Sequence, residues 1–456
     1  MRRCNLGWIA LAAGLLPACA GDTGDLPPGP LGFRVALTGG DPGAVDARLP
    51  FSLEGATYTL DIEALPAQAF REGWVSIRAQ PGDVLSVDSP GAIRTNIQLH
   101  GGRATGVRVT VAKLYGDARI WVEDLGFVPG PAVGSACRNG LDDDGDGRTD
   151  YGSDPGCAYA NDDTESEGSH AVGLSPVLYY RNPRIADVQG MTSVPPLEGR
   201  SINIDAGDMV VTRVSVDGLY VTDISETRGY NHLFAFNFNT PAGVRICDRL
   251  VTLGGIVGEF YGYTELTYPS WTRDLDWPRP EHPTPAECPV PEPVEITRTL
   301  LDNGAAMESL EAGLIKVSGG RITPRFEDCD FNDNGGIDWD TPEEDCADEC
   351  AEALDCSELT QFQTYGQFSI ATLGATAAER GKIQVLTREA VPDFDALAHA
   401  GETVALIRGT LSQVEFLDVP WILEVRCRDD LVLAGPAKPM HEACVGPVPP
   451  DEDYTR

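Results

Sequence analysis

Asp142, Asp144 and Asp146 alternate along the chain, Gly147 stands at the sixth place counted from Asp142, and Asp150 at the ninth. Alternate residues of a tight loop point inward, so this spacing converges carboxylate oxygens, and the carbonyl of Arg148 supplies one more at the seventh place. An all-oxygen donor set suits Ca²⁺, which takes six to eight oxygens at about 2.3–2.6 Å. Asp154, Asp162, Asp163 or Glu165 would complete the shell or hold a second ion. A second stretch repeats the spacing with Asp330, Asn332 and Asn334, Gly335 at the sixth place, Gly336 at the seventh and Asp338 at the ninth. Two neutral Asn ligands predict weaker binding there. Sites of this extracellular kind bind at about 10⁻⁴–10⁻³ M, so both ions are expected as structural staples rather than signals.

The charge is concentrated around the same residues. The formal net charge is −36 over 456 residues. Residues 137–167 carry ten acids against Arg138 and Arg148, a net of −8, and residues 327–358 carry fourteen acids and no Lys or Arg, a net of −14. Together they hold −22 of the −36. Carboxylates so crowded repel one another unless cations lie between them. The competing reading is a pair of solvated acidic linkers, against which stand the ordered Cys and Gly spacings.

Catalytic signatures are not found. The six His (His100, His170, His232, His282, His399, His441) are isolated in sequence, and there is no Gly-x-Ser-x-Gly, His-Glu-x-x-His or P-loop. His232, beside Tyr230 and Asn231, reads as a hairpin residue rather than a base. The expectation is a protein that is not an enzyme.

The N-terminus reads as a targeting segment: Arg2 and Arg3, an apolar run from Leu6 to Leu16, then Leu16-Pro17-Ala18-Cys19. It resembles the bacterial lipoprotein signal, which implies acylation of Cys19, a membrane anchor and, with Ala20 and Gly21 following, the outer membrane. In a plain secretory signal Cys19 would be only a small residue near the cut. Ten cysteines follow, an even number in an exported chain, which predicts disulfides. Sequence neighbours suggest Cys137–Cys157, Cys247–Cys288 and Cys427–Cys444. Cys329, Cys346, Cys350 and Cys356 can pair in three ways, or hold zinc.

The elements that must position these groups read as strands. Residues 1–18 are the signal and 19–31 a Gly/Pro-rich tether. From 32 to 130, alternating runs such as Thr57–Ile62, Trp74–Arg78, Ile97–Leu99 and Val107–Val111 predict an immunoglobulin-like β-sandwich. The acidic calcium loop takes 134–168. Residues 172–275 hold runs at Met209–Val214, Leu219–Thr222, Leu233–Phe236 and Val251–Phe260. A proline-rich linker spans 276–296, and a second domain spans 297–432 with the acidic insertion 327–358, followed by a tail, 433–456. Leu197-Glu198-Gly199 and Leu310-Glu311-Ala312-Gly313 mark a weak internal repeat.

Residues 185–271 resemble the OB-fold modules appended to secreted bacterial nucleases, through Pro196–Gly199, Gly218–Asp223, Cys247–Arg249 and Phe260–Leu266. The resemblance implies OB-like barrels for both domains. The acidic loop departs from the EF-hand, since Ser153 replaces the Glu at twelve and no amphipathic helix flanks it; in the second loop Thr341 stands there, with Glu343 or Glu344 able to reach back. The loop, bracketed by Cys137 and Cys157, resembles thrombospondin type 3 repeats instead. The fold class expected is all-β and multidomain: a sandwich, then two OB-like barrels. The function expected is a calcium-binding surface lipoprotein that binds or scaffolds a protein or saccharide. The alternative is an accessory nucleic-acid-binding protein lacking the nuclease domain; the acidic surface opposes it, because phosphate contacts dominate such affinity.

Overall fold

The computed structural model describes residues 32–67, 73–125, 136–143, 148–151, 153–154, 157, 171–323, 365–374, 380–396, 398–399, 401–414 and 420–449. Cys19, Asp144, Asp146, Asp162, Asp163, Glu165, residues 327–358 and the four cysteines among them lie outside these residues. The chain is all-β and divides into two compact units, Met1–Tyr180 and Arg181–Arg456. Among the described residues no helix is long and apolar enough to cross a membrane.

The first unit is a two-sheet sandwich. Strands β1 (Gly32–Gly39), β2 (Ala56–Leu65), β6 (Arg103–Ala112) and β4 (Asp83–Asp88) form one sheet, in the order β1-β2-β6-β4. Strands β5 (Asn96–Gln98), β3 (Trp74–Gln80), β7 (Asp117–Asp124) and β8 (Val172–Leu174) form the other, in the order β5-β3-β7-β8, with β9 (Leu178–Tyr179) also on β7. The period-two alternation has a direct outcome: Tyr58, Leu60 and Ile62 of β2 and Val107, Val109 and Val111 of β6 share one core with Ile77, Ile120 and Val122 of the facing sheet. Since β8 returns to pair β7 antiparallel, the sandwich runs past residue 130, and the acidic loop is an insertion between two of its strands. It does not link the sandwich to the next domain, and residues 172–180 belong with the first unit.

In the second unit, β11 (Met209–Val214), β12 (Gly218–Asp223), β13 (His232–Phe236), β14 (Arg249–Phe260) and β15 (Tyr263–Arg273) close into a ring. The order is β11-β12-β13-β15-β14 and back to β11, with β13 parallel to β15 and the other contacts antiparallel. A short strand β10 (Ser201–Ile204) extends it along β14. Leu219, Val221, Leu233, Ala235, Leu253 and Leu266, all buried, fill the interior.

A second ring has the same order. Its first strand is broken into β17 (Leu314–Ser318) on β21 (Leu406–Gln413) and β18 (Arg321–Thr323) on β19 (Gln367–Ala371). Then β20 (Lys382–Leu386) pairs β19 antiparallel and β22 (Trp421–Val425) in parallel, and β22 pairs β21. The Leu-Glu repeat read from sequence precedes β10 in the first ring and β17 in the second, so it marks equivalent entries. A two-residue strand β16 (Val294–Glu295) lies on β17, and β23 (Leu431–Val432) on β21. The second acidic stretch leaves β18 and returns at β19, which are hydrogen-bonded neighbours; both acidic stretches are thus insertions between paired strands.

The proline-rich segment and the C-terminal segment are packed rather than free. Pro280 O accepts from Arg245, Val290 and Ile296 are buried, and so are Met440 and Ala443. All three expected disulfides within the described residues are formed: Cys137–Cys157, Cys247–Cys288 and Cys427–Cys444. The last two share an apolar cluster with Ile246, Val290 and Met440.

Candidate functional site

The first acidic loop is drawn together by its own backbone. Tyr151 N–H donates to Cys137 O at 3.0 Å, and Asp154 N–H to Asp150 O at 2.9 Å, while the Cys137–Cys157 bridge sets its ends 5.6 Å apart at Cα. Asp150, in the left-handed region at φ 59°, turns its carboxylate back across the loop, where Gly140 N–H donates to both oxygens at 3.0 Å. This bond orients the Asp150 carboxylate within the loop. Asn139 Oδ1 accepts from Leu141 N–H at 2.8 Å, shaping the entry to Asp142. Asp154 is buried in spite of its charge. With both cysteines oxidised, the side-chain donors the described part of this loop offers a cation are oxygens, carboxylate and amide among them.

Of the expected ligands, Asp142, Arg148, Asp150 and Asp154 are thus described, whereas Asp144 and Asp146 are not; Asp330, Asn332, Asn334, Gly336 and Asp338 of the second loop are outside the described residues altogether. Among the described residues no group of three or more His, Cys, Asp or Glu is placed to hold a metal ion.

A second concentration of charge lies inside the second unit, and sequence reading missed it. Arg213 of β11 is only 2 % exposed. It donates to Thr410 Oγ1 at 2.7 Å and to the Glu424 carboxylate of the second ring, and reaches Glu389 at 3.2 Å. Its guanidinium also lies over the Tyr220 ring, 4.9 Å from the centroid. Arg426 Nη1 donates in return to Thr212 O at 2.9 Å. Tyr220, Phe234 and Tyr263 on the exterior of the first ring pack on Ala312 of the second. The two rings are therefore one body joined by a hydrogen-bonded ionic cluster around the buried Arg213. A signal existed: single charges embedded in apolar runs, Met209–Val214 and Trp421–Val425, have no place in a strand unless something buried pairs with them.

Each ring also holds a buried aspartate between arginines. Asp430 accepts from Arg408 Nε at 2.5 Å and Arg426 Nε at 2.6 Å. Asp248 accepts from Arg279 Nε at 2.7 Å and from the backbone N–H of Arg245. These clusters clamp the segments beyond each ring: Arg408 donates to Lys438 O and Arg279 to Gly243 O.

His232 is buried, and burial lowers its pKa to about 4, so the imidazole is neutral at pH 7. Its Nδ1 shares a hydrogen bond with Thr222 Oγ1 at 2.8 Å, and a Cβ on Gly313 would sit 2.6 Å from its Nε2. Packed this way on both nitrogens, it is a structural residue at the start of β13. Glu311, from the repeated Leu-Glu motif, is buried too and accepts from Thr264 N–H at 3.0 Å. Burial, with Glu308 and Glu259 nearby, raises its pKa well above the usual carboxylate range. No protein-family model matches the chain, and no curated protein matches it.

Proposed function

We propose that this chain is an exported, lipid-anchored, calcium-stabilised surface protein that binds or scaffolds rather than catalyses. The observation that carries the calcium reading is the Asp150 carboxylate, held by Gly140 N–H across a disulfide-closed loop whose side-chain donors are oxygens. Both acidic stretches interrupt paired strands, and closing a long loop costs entropy that an ion cross-link and a disulfide offset. Calcium would be held by Asp142, Asp144, Asp146, Asp150, Asp154 and the Arg148 carbonyl, and more weakly by the 330–338 loop. Three disulfides support an oxidising compartment, and Cys19 in its Leu-Pro-Ala-Cys context supports acylation.

The strand orders support the finer fold readings. With short β5 and β9 set aside, the order β1-β2-β6-β4 over β3-β7-β8 resembles that of a constant-type immunoglobulin sandwich, which supports that reading. The two five-stranded Greek-key rings fit OB-folds. Nucleic-acid binding is the weaker reading. On an OB-fold the exterior of the second and third strands receives bases, yet here Tyr220 and Phe234 lie buried under the second ring with Arg213 paired to carboxylates.

The test is thermal melting of residues 20–456, stripped by chelator and titrated with Ca²⁺ against Mg²⁺. The expected result is stabilisation that saturates with Ca²⁺ in the millimolar range and is reduced in Asp150→Ala. No shift at millimolar Ca²⁺ would remove the calcium reading.

A further inference from the structure

One part of the first ring's exterior escapes burial. Where β13 ends, Phe236 packs on Phe238 with centroids 4.4 Å apart, and Phe238 on Tyr268 at 5.5 Å. Phe238 is 60 % and Tyr268 72 % exposed. Both stand at positive φ, 59° and 50°, an unfavourable conformation for aromatic residues that breaks strand alternation and swings both rings onto one ledge. Two carboxylates lie at its root. Glu265 sits on β15 opposite Phe234, next to the Thr267–Phe236 pair, and Asp217 occupies the turn between β11 and β12. Asp217 accepts from Ser215 Oγ at 2.7 Å, and among the described residues neither acid has an ion-pair partner. Nearby Glu389 differs: it accepts from Val216 N–H and is paired to Arg213.

We propose that this ledge is a docking site for a cationic segment of a partner protein, with an arginine or lysine lying over Phe238 and Tyr268 and its charge between Asp217 and Glu265. Charge complementarity selects this occupant. Among the described residues the two acids lack the cation that Glu389 and Glu424 receive from Arg213, and exposed aromatic faces add attraction for a guanidinium or ammonium. Partial burial, then the charge of Asp217, raises the Glu265 pKa to about 7. Its charge, and with it the attraction, therefore grows as pH rises through neutrality. The proposal rests on the chain being a binding module and is independent of calcium and of the anchor.

The probe is a hexa-arginine peptide titrated calorimetrically into residues 20–456 with calcium saturating, at 150 mM salt. Phe238→Ala with Tyr268→Ala removes no charge and alters exposed side chains; it is expected to weaken binding about tenfold. Glu265→Gln is expected to abolish the rise in affinity between pH 6 and pH 8. Melting of each variant verifies the fold, so loss of binding with an unchanged transition supports the site. Wild-type affinity in both variants would overturn it, assigning the attraction to the acidic stretches at large. Binding of a neutral oligosaccharide lost on removing the aromatics, with hexa-arginine binding unchanged, would overturn it in favour of a saccharide. Neither outcome alters the calcium titration, so the two readings fail separately.

Discussion

The two rings of the second unit share one strand order and differ in what they turn outward. Their third strands make the comparison concrete. The inward positions match, Leu233 and Ala235 in β13 against Ile383 and Val385 in β20, all buried apolar. The outward positions do not: His232, Phe234 and Phe236 stand where the second ring has Lys382, Gln384 and Leu386. The first ring presents a cation and aromatics, and the second answers with Glu389 and Glu424. Interior residues follow the packing demand of the ring itself, which is the same twice. Exterior residues follow what each ring faces, which differs.

The largest effect should come from the ion cluster joining the two. Arg213→Met leaves the mostly buried Glu424 without its cation, while Glu389 is exposed enough to be solvated, and losing one partner of a buried pair costs about 3–5 kcal/mol. Adding Glu424→Gln should recover a substantial part, because the penalty arises from the uncompensated charge. Urea denaturation of the three proteins checks this. Equal stability of the single and double variants would mean that Arg213 acts by packing alone.

The fourth strands allow a sharper comparison. A Cβ on Gly409 of β21 would run into the Glu424 carbonyl of β22, where only backbone movement makes room. A Cβ on Gly254 of β14 would lie 3.1 Å from Ile202 O and Ser270 Oγ, tight but open to small adjustment. Gly409→Ala should therefore cost about 3 kcal/mol and Gly254→Ala about 1 kcal/mol or less, measured by denaturation. Equal costs would mean that the rings tolerate crowding alike and that the closer approach in the second is not needed.

How much of this was legible in the sequence depends on the kind of signal. Strands were legible: runs such as Leu219–Thr222 and Lys382–Leu386 lie within β12 and β20, because alternation and β-branched residues report local geometry. The three disulfides were legible from proximity along the chain. The place of the acidic loop was not, because Val172–Leu174 is too short to show a period, and only its pairing with β7 reveals that the sandwich continues beyond it. The isolated charges of the Arg213 cluster left a signal, but which residues pair there was illegible for another reason. Its members are separated by about two hundred positions, and only the docking of the two rings brings them together.

His232 against Lys382 gives the effect most dependent on conditions. Burial holds the imidazole pKa at about 4 in the fold, below the ordinary value of 6.5 of the unfolded chain. A group depressed in this way contributes its full stability above pH 6.5, where both states are neutral at this residue. As pH falls from 6.5 toward 4, the unfolded chain takes up a proton that the fold resists, and stability declines with it. The decline is limited to about 3 kcal/mol at 1.36 kcal/mol per unit. Carboxylates titrate in the same window, so the difference between proteins is the informative quantity. His232→Asn removes the titration while leaving a polar partner for Thr222. Its stability relative to the parent should be lowest at pH 8 and improve toward pH 4, as followed by urea denaturation across that range. The same comparison with Lys382→Gln should show no such trend. Parallel pH curves for His232→Asn and the parent would show that the imidazole is protonated within the fold and that the first ring does not exclude charge at the start of β13.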